Sequence, residues 1–183
     1  MKPENLLSSK MIHAGKVVRL SVDEVALPDG RTCELEMIRH PGAAAVLPVD
    51  DDGRAILIRQ YRYASGGWLV EVPAGKLDPG EAPDVCAVRE CEEETGYRIG
   101  KLESLGWIWT TPGFTDEKIW LFLGRALSQG EQQLQTDELL EIVKVPLDEA
   151  IQAAADGEIC DGKSVCTLLR AAALFRGADA ARP

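Results

Sequence analysis

The stretch GKLDPGEAPDVCAVRECEEETGY, residues 75–97, decides how the rest of the chain is read. Pro83 suits the first turn of a helix, where its missing N–H costs nothing. Gly96 suits the position just past a helix end, where a left-handed backbone is needed. Between them Glu90, Glu92, Glu93 and Glu94 crowd the last turns. That placement is unfavourable, because a helix C-terminus carries partial negative charge. Glu90 and Glu94 also repel, four residues apart on one face. A bound divalent cation is the simplest way to outweigh both penalties. Glu90, Glu93 and Glu94 share one face by their spacing, while Ala87, Val88 and Cys91 fall largely on another and predict packing on a sheet. Arg89, four before Glu93, is placed to pair with that carboxylate and orient it. Oxygen ligands alone suit Mg2+ or Mn2+ rather than zinc.

Composition sets the frame around this helix. The chain has 183 residues, 45% hydrophobic and 27% charged, enough for one domain with a real core. No apolar run is long enough to span a bilayer, and the first fifteen residues lack the apolar centre of a signal peptide, so the expected location is cytoplasmic, with no membrane partner. Five cysteines without CxxC spacing predict reduced thiols and argue against zinc or a disulfide framework. A net charge of -10 argues against a nucleic-acid partner. It also repels a polyphosphate, unless metals and local arginines reverse the sign at the site.

Read in order, residues 1–14 are polar and unpatterned, predicting a mobile or docking arm. Strands are predicted over 16–27 and 32–39 as a hairpin around Pro28-Asp29-Gly30. Further strands are predicted over 43–49, 55–63, 68–72, 102–110, 119–127 and 142–145. Helices are predicted over 147–155 and 162–175, the second from the spacing of Val165, Leu168, Leu169 and Ala172; the tail after it reads as loose. The expected organisation is an arm and hairpin over 1–42, a main domain over 43–177 and a tail over 178–183. Strands enclosing the acidic helix, with another helix behind, make an α/β sandwich.

These residues also carry a resemblance. Gly75, Glu81, Arg89, Glu90, Glu93, Glu94 and Gly96 fill every fixed position of the Nudix hydrolase signature, with Cys91 and Tyr97 in its hydrophobic slots. The resemblance implies the Nudix fold, an α/β/α sandwich around a mixed sheet, with the N-terminal hairpin as an added antiparallel sheet. It implies metal binding by Glu90 and Glu94, by Glu93 as a further ligand or metal-water contact, and by the backbone carbonyl of Ala74. Glu81 is implied as a support.

Thr111-Pro112-Gly113-Phe114-Thr115-Asp116-Glu117 is similar to a loop of the ADP-ribose pyrophosphatase subfamily, as are residues 70–81 and 40–43. This implies Mg2+-dependent hydrolysis of ADP-ribose to AMP and ribose 5-phosphate. Arg62 is implied to grip the diphosphate, a task suited to a guanidinium fork. Pro112, Gly113, Phe114, Glu117 and Arg19 are implied as further substrate contacts, Arg19 by reaching a partner subunit's ligand in a homodimer. The general base falls best on Glu138, with Asp137, Glu141 and Glu117 as alternatives and Glu93 as a second catalytic carboxylate. Trp68, Trp107, Trp109 and Trp120 are candidates to stack on adenine, with none singled out. The rival readings are another nucleoside diphosphate sugar, such as GDP-mannose, and a non-catalytic sensor that binds ADP-ribose.

Overall fold

The computed structural model describes residues 5–136 and 138–180, with side chains through residue 176. It divides into two compact units, one of Met1–Gly42 with Trp109–Lys118, the other of Ala43–Ile108 with Ile119–Pro183.

The smaller unit holds β1 (Leu6–Ala14), β2 (Arg19–Ala26) and β3 (Thr32–Ile38) in one antiparallel sheet of that order. The β2–β3 hairpin turns at Gly30, φ 86°, where the Gly30 N–H reaches the Leu27 carbonyl at 2.9 Å. The predicted arm is corrected here. Residues 6–14 pair along β2, from Leu6↔Val25 to Ala14↔Arg19. They escaped notice because nearly every side chain of β1 is exposed, so no buried face stamps a period of two on the sequence. The segment 110–117 is stitched to the end of β3. Ile38 N–H donates to the Phe114 carbonyl at 2.7 Å, and the Asp116 carboxylate accepts from His40 N–H at 2.8 Å and from Arg39 at 3.2 Å. Arg39 also pairs with the buried Asp23, which accepts hydroxyl protons from Ser9 and Ser21.

The larger unit contains β4 (Ala43–Pro48), β5 (Arg54–Arg62), β6 (Gly67–Glu71), β7 (Ala74–Lys76), α1 (Pro83–Thr95), β8 (Tyr97–Trp109), β9 (Lys118–Gln129), β10 (Leu140–Pro146), α2 (Leu147–Asp156) and α3 (Gly162–Ala180). Two sheets result, a mixed one ordered β7-β4-β9-β8 and an antiparallel one ordered β10-β5-β6. β4 runs parallel to β9 and antiparallel to β7. Every residue of β4 is buried, which is why it reads as an unbroken apolar run. Its alternate side chains feed two cores. Ala43, Ala45 and Leu47 join Leu57, Leu121, Leu123, Ala154 and Leu168, which brings α2 and α3 to one face. Ala44 and Val46 meet Cys86, Ala87, Cys91 and Phe122, which brings α1 to the other. This is the expected α/β/α arrangement with an antiparallel N-terminal sheet.

Three local differences matter. Past the expected strand over 68–72, Ala74–Lys76 form a further short strand, β7, ahead of α1. β8 starts at Tyr97, five residues before its expected start at 102. α3 continues past the predicted stop at 175 through the alanine-rich segment to Ala180, in keeping with the helix propensity of alanine. All five cysteines are free thiols, and among the described residues no helix is long and apolar enough to cross a membrane.

Candidate active site

The site is built on the join of β7 and α1. Pro83 opens α1 at its first turn, and Gly96 closes it in the left-handed region at φ 70°, its N–H donating to the Glu92 carbonyl at 2.8 Å. Cys86, Ala87 and Cys91 bury one side of the helix, with Val88 only half-buried. That seating turns Glu90 and Glu94 inward, 5% and 2% exposed. Gly75 lets this happen: a side-chain carbon there would overlap the Glu90 carboxylate, so only glycine allows β7 so close.

Arg89 does more than the predicted pairing with Glu93. Its Nε and Nη2 fork Glu81 at 2.8 and 2.9 Å. Its Nη1 reaches Glu90 at 2.7 Å and Glu93 at 3.0 Å. One guanidinium thus serves three carboxylates. The Arg89 fork holds the Glu81 carboxyl down at about 2, a supporting role as expected. The charge conflict seen in the sequence is therefore answered in part by the protein itself.

Glu94 is different. Among the described residues its carboxylate accepts one hydrogen bond, from Ala74 N–H at 2.9 Å. Its pKa is pushed up to about 8, chiefly by burial, with the charges of Glu90 and Glu138 acting in the same direction and the Ala74 hydrogen bond and Lys163 opposing. Glu90 is also raised, chiefly by burial and then by Glu93 and Glu138, against the pull of Arg89. The folded chain therefore brings Glu138 within electrostatic reach of both helix glutamates. Glu138 stands at the end of a turn: its carboxylate accepts Gln135 N–H at 2.8 Å, and its N–H donates back to the Gln135 carbonyl at 3.1 Å.

Two of the alternatives to Glu138 have partners of their own. Glu141 pairs with Arg59 across β10 and β5 at 3.4 Å. Glu117 belongs to the smaller unit, where it accepts the Thr110 hydroxyl proton at 2.8 Å. Asp137 lies outside the described residues. Pro112, Gly113 and Phe114 form an exposed turn of the smaller unit, closed by Phe114 N–H on the Thr111 carbonyl at 3.2 Å. Arg19, exposed at the start of β2, is in that unit too.

Arg62 ends β5 with its side chain on the face shared by Ile58 and Gln60. It forks Glu71 through Nε at 2.9 Å and Nη2 at 2.8 Å. Glu71 is buried and also takes Lys163, which in turn binds Asp161 at 2.9 Å. Sequence reasoning missed Glu71, Lys163 and Asp161. The one available signal was a carboxylate between Val70 and Val72 on an otherwise apolar strand. On the same face, Gln60 buries a carboxamide oxygen that has no hydrogen-bond partner among the described residues.

The donor set suits a hard divalent cation, being carboxylate oxygen only, with two buried groups whose ionised forms lack full compensation. Among the described residues, no three acidic, His or Cys side chains stand as a ready cage. Glu93, half-buried, is turned onto Arg89 instead.

Comparison with known proteins follows the same lines. The NUDIX domain model matches residues 38–168. A Bacillus subtilis (strain 168) protein named ADP-ribose pyrophosphatase is 40% identical over 163 residues, 88% of each chain. A Bacillus methanolicus protein named methanol dehydrogenase activator is 42% identical over 164 residues, 88% of this chain and 89% of its own. A crystal structure of an ADP compounds hydrolase matches with a TM-score of 0.81 over 94% of each chain at 22% identity, a likeness of fold. A match across most of the chain, on a fold that seats every signature residue around α1, means that the chain belongs to the Nudix family of hydrolases.

Proposed function

We propose that this chain hydrolyses the pyrophosphate bond of a nucleoside diphosphate sugar, with ADP-ribose as the first substrate and AMP and ribose 5-phosphate as products. The observation that carries this reading is the pairing of two buried, raised carboxylates, Glu90 and Glu94, with a third, Glu138, near both. Glu90 and Glu94 would hold Mg2+ (or Mn2+), helped by Glu93 and the Ala74 carbonyl. When bound, the cation neutralises phosphate oxygens and makes a coordinated water more acidic. Glu138 accepts the proton of the attacking water, which adds to one phosphorus as the bridging oxygen leaves with the other phosphate. Arg62 binds the diphosphate through the part of its guanidinium that Glu71 leaves free.

Support for ADP-ribose comes from the name of the Bacillus subtilis relative and from the segment 111–117, whose likeness also proposes Pro112, Gly113, Phe114, Glu117 and Arg19 as substrate contacts. We place the enzyme in the cytoplasm as a homodimer joined through β1–β3, where Leu7, Met11 and Ile12 of β1 and Val17 and Val18 of the β1–β2 connection are exposed apolar side chains. The Bacillus methanolicus relative favours one other reading, in which the chain acts on a partner dehydrogenase.

Chromatographic measurement of nucleoside monophosphate release with and without Mg2+, comparing ADP-ribose, GDP-mannose, NADH and a deoxynucleoside triphosphate, tests the proposal. Release fastest from ADP-ribose supports it. Preference for GDP-mannose changes the sugar, and no release from any of them favours the regulatory reading.

A further inference from the structure

The ion network behind Arg62 has no part in the chemistry above. Glu71, the last residue of β6, is 1% exposed. One cation is enough to neutralise a buried carboxylate, yet Glu71 takes two, Arg62 on both oxygens and Lys163 on Oε2. Lys163 is fixed in turn. Asp161 binds it at 2.9 Å and is itself locked by Ser164, through the N–H at 3.0 Å and the hydroxyl at 2.6 Å. Ser164 Oγ accepts Val72 N–H at 2.8 Å, tying the start of α3 back to the residue after Glu71. The Arg62 side chain is 41% exposed, so one edge of the guanidinium is buried on Glu71 and the rest opens outward. Among the described residues, its Nη1 has no hydrogen-bond partner. Glu94 lies close enough for its charge to be felt by Arg62, and for the Lys163 charge to be felt by it.

We infer that Glu71 and Lys163 are positioning residues: Glu71 clamps the Nε–Nη2 edge of Arg62 so that Nη1 faces the diphosphate, and Lys163 anchors the clamp to α3. The inference rests on the proposed role of Arg62. An unclamped arginine has a long, freely rotating stem, and ordering it on binding opposes affinity. The clamp removes that cost before the ligand arrives. Lys163 also keeps Glu71 from cancelling the whole charge of Arg62, because Glu71 shares its Oε2 with a second cation.

The test is titration calorimetry of the full-length protein, in Mg2+, with the α,β-methylene analogue of ADP-ribose, alongside steady-state hydrolysis of ADP-ribose. Lys163→Met should weaken binding and raise KM about tenfold, with kcat within about twofold, because only ground-state positioning is lost. Lys163→Arg should restore most of the affinity. In an Arg62→Ala background, Lys163→Met should add nothing further, since a clamp without its arginine has no task. Glu71→Gln, which keeps size and one acceptor, should behave as Lys163→Met does. It serves as the second variant if Lys163→Met melts below the assay temperature. Additive losses in the Arg62→Ala background, or a fall in kcat with KM unchanged, would overturn the clamp while leaving Arg62 as a phosphate ligand. Unchanged binding by Arg62→Ala would remove the role of Arg62 itself, and the clamp with it.

Discussion

Replacing Glu94 by glutamine should stabilise the metal-free protein while destroying its activity. Glu94 is 2% exposed, and its pKa is pushed up from the ordinary 4.5 to about 8, first by burial. A carboxyl raised in this way adds no penalty below pH 4.5. Above that the unfolded chain ionises freely and the folded one does not, so stability falls until the pH passes about 8. At pH 7.5 the accumulated cost is roughly 4 kcal/mol, from about 1.4 kcal/mol for each pH unit between the two pKa values. Glutamine carries no charge to bury, and its carbonyl can keep the hydrogen bond from Ala74 N–H. Its amide protons need new acceptors, so we expect a net gain of roughly 2 kcal/mol, or about 4–8 °C in Tm for a chain of this size. The assay is thermal melting in EDTA at pH 7.5 and again at pH 4.5, where the gain should vanish. Added Mg2+ should raise the Tm of the unaltered protein by binding the native state, and this rise should shrink in Glu94→Gln. The kcat should fall at least about a hundredfold. A variant that melts below the parent in EDTA at pH 7.5, or one whose gain is the same at both pH values, would show that Glu94 is not a strained acid. An undiminished Mg2+ shift in the variant would remove it from the cation site.

Three shorter predictions follow from other parts of the larger unit. Gly75→Ala should abolish turnover with the far-UV circular dichroism unchanged, because the new carbon would push the Glu90 carboxylate out of place. Glu138→Gln should lower kcat by about two to three orders of magnitude with little change in KM, the mark of a lost general base; equal loss in the Glu141→Gln control would point away from Glu138. Leu47→Ala, at a fully buried position between β9 and the helices of the main core, should cost about 3 kcal/mol in urea unfolding without a change in KM.

What could be read from the sequence and what could not divides along physical lines. α1 was legible to the residue at both ends, because proline at the first turn and glycine past the last are local requirements of the backbone. β4 was legible because burial on both faces leaves nothing but apolar side chains. β1 was not, since an exposed strand on a sheet edge has no buried face to advertise it. Nor was the Glu71–Lys163 pair. Its members are 92 residues apart, and a buried charge announces its partner only once the chain has folded. Glu138 could be proposed from resemblance, but its nearness to Glu90 and Glu94 is a product of tertiary structure, as is the contact that makes Gly75 irreplaceable.

The acidic helix shows how the two kinds of information combine. From spacing alone, Glu90, Glu93 and Glu94 share one face at the negative end of α1, and only the resemblance sets Glu90 and Glu94 ahead of Glu93. The fold breaks that symmetry. Arg89, one turn earlier, reaches Glu93, Glu90 and, from the preceding loop, Glu81. Glu94 lies beyond its reach, with, among the described residues, a single backbone N–H of β7 against it and two other carboxylates near enough to repel. A helix selected only to fold would have an apolar or neutral residue there, since a buried unpaired charge destabilises more than its replacement. Arg89 therefore accounts for Glu81 and Glu93 without any ligand, and for Glu90 only in part. The case for a cation rests on the buried, raised pair of Glu90 and Glu94, and Glu94, which Arg89 does not reach, is the more decisive of the two to substitute.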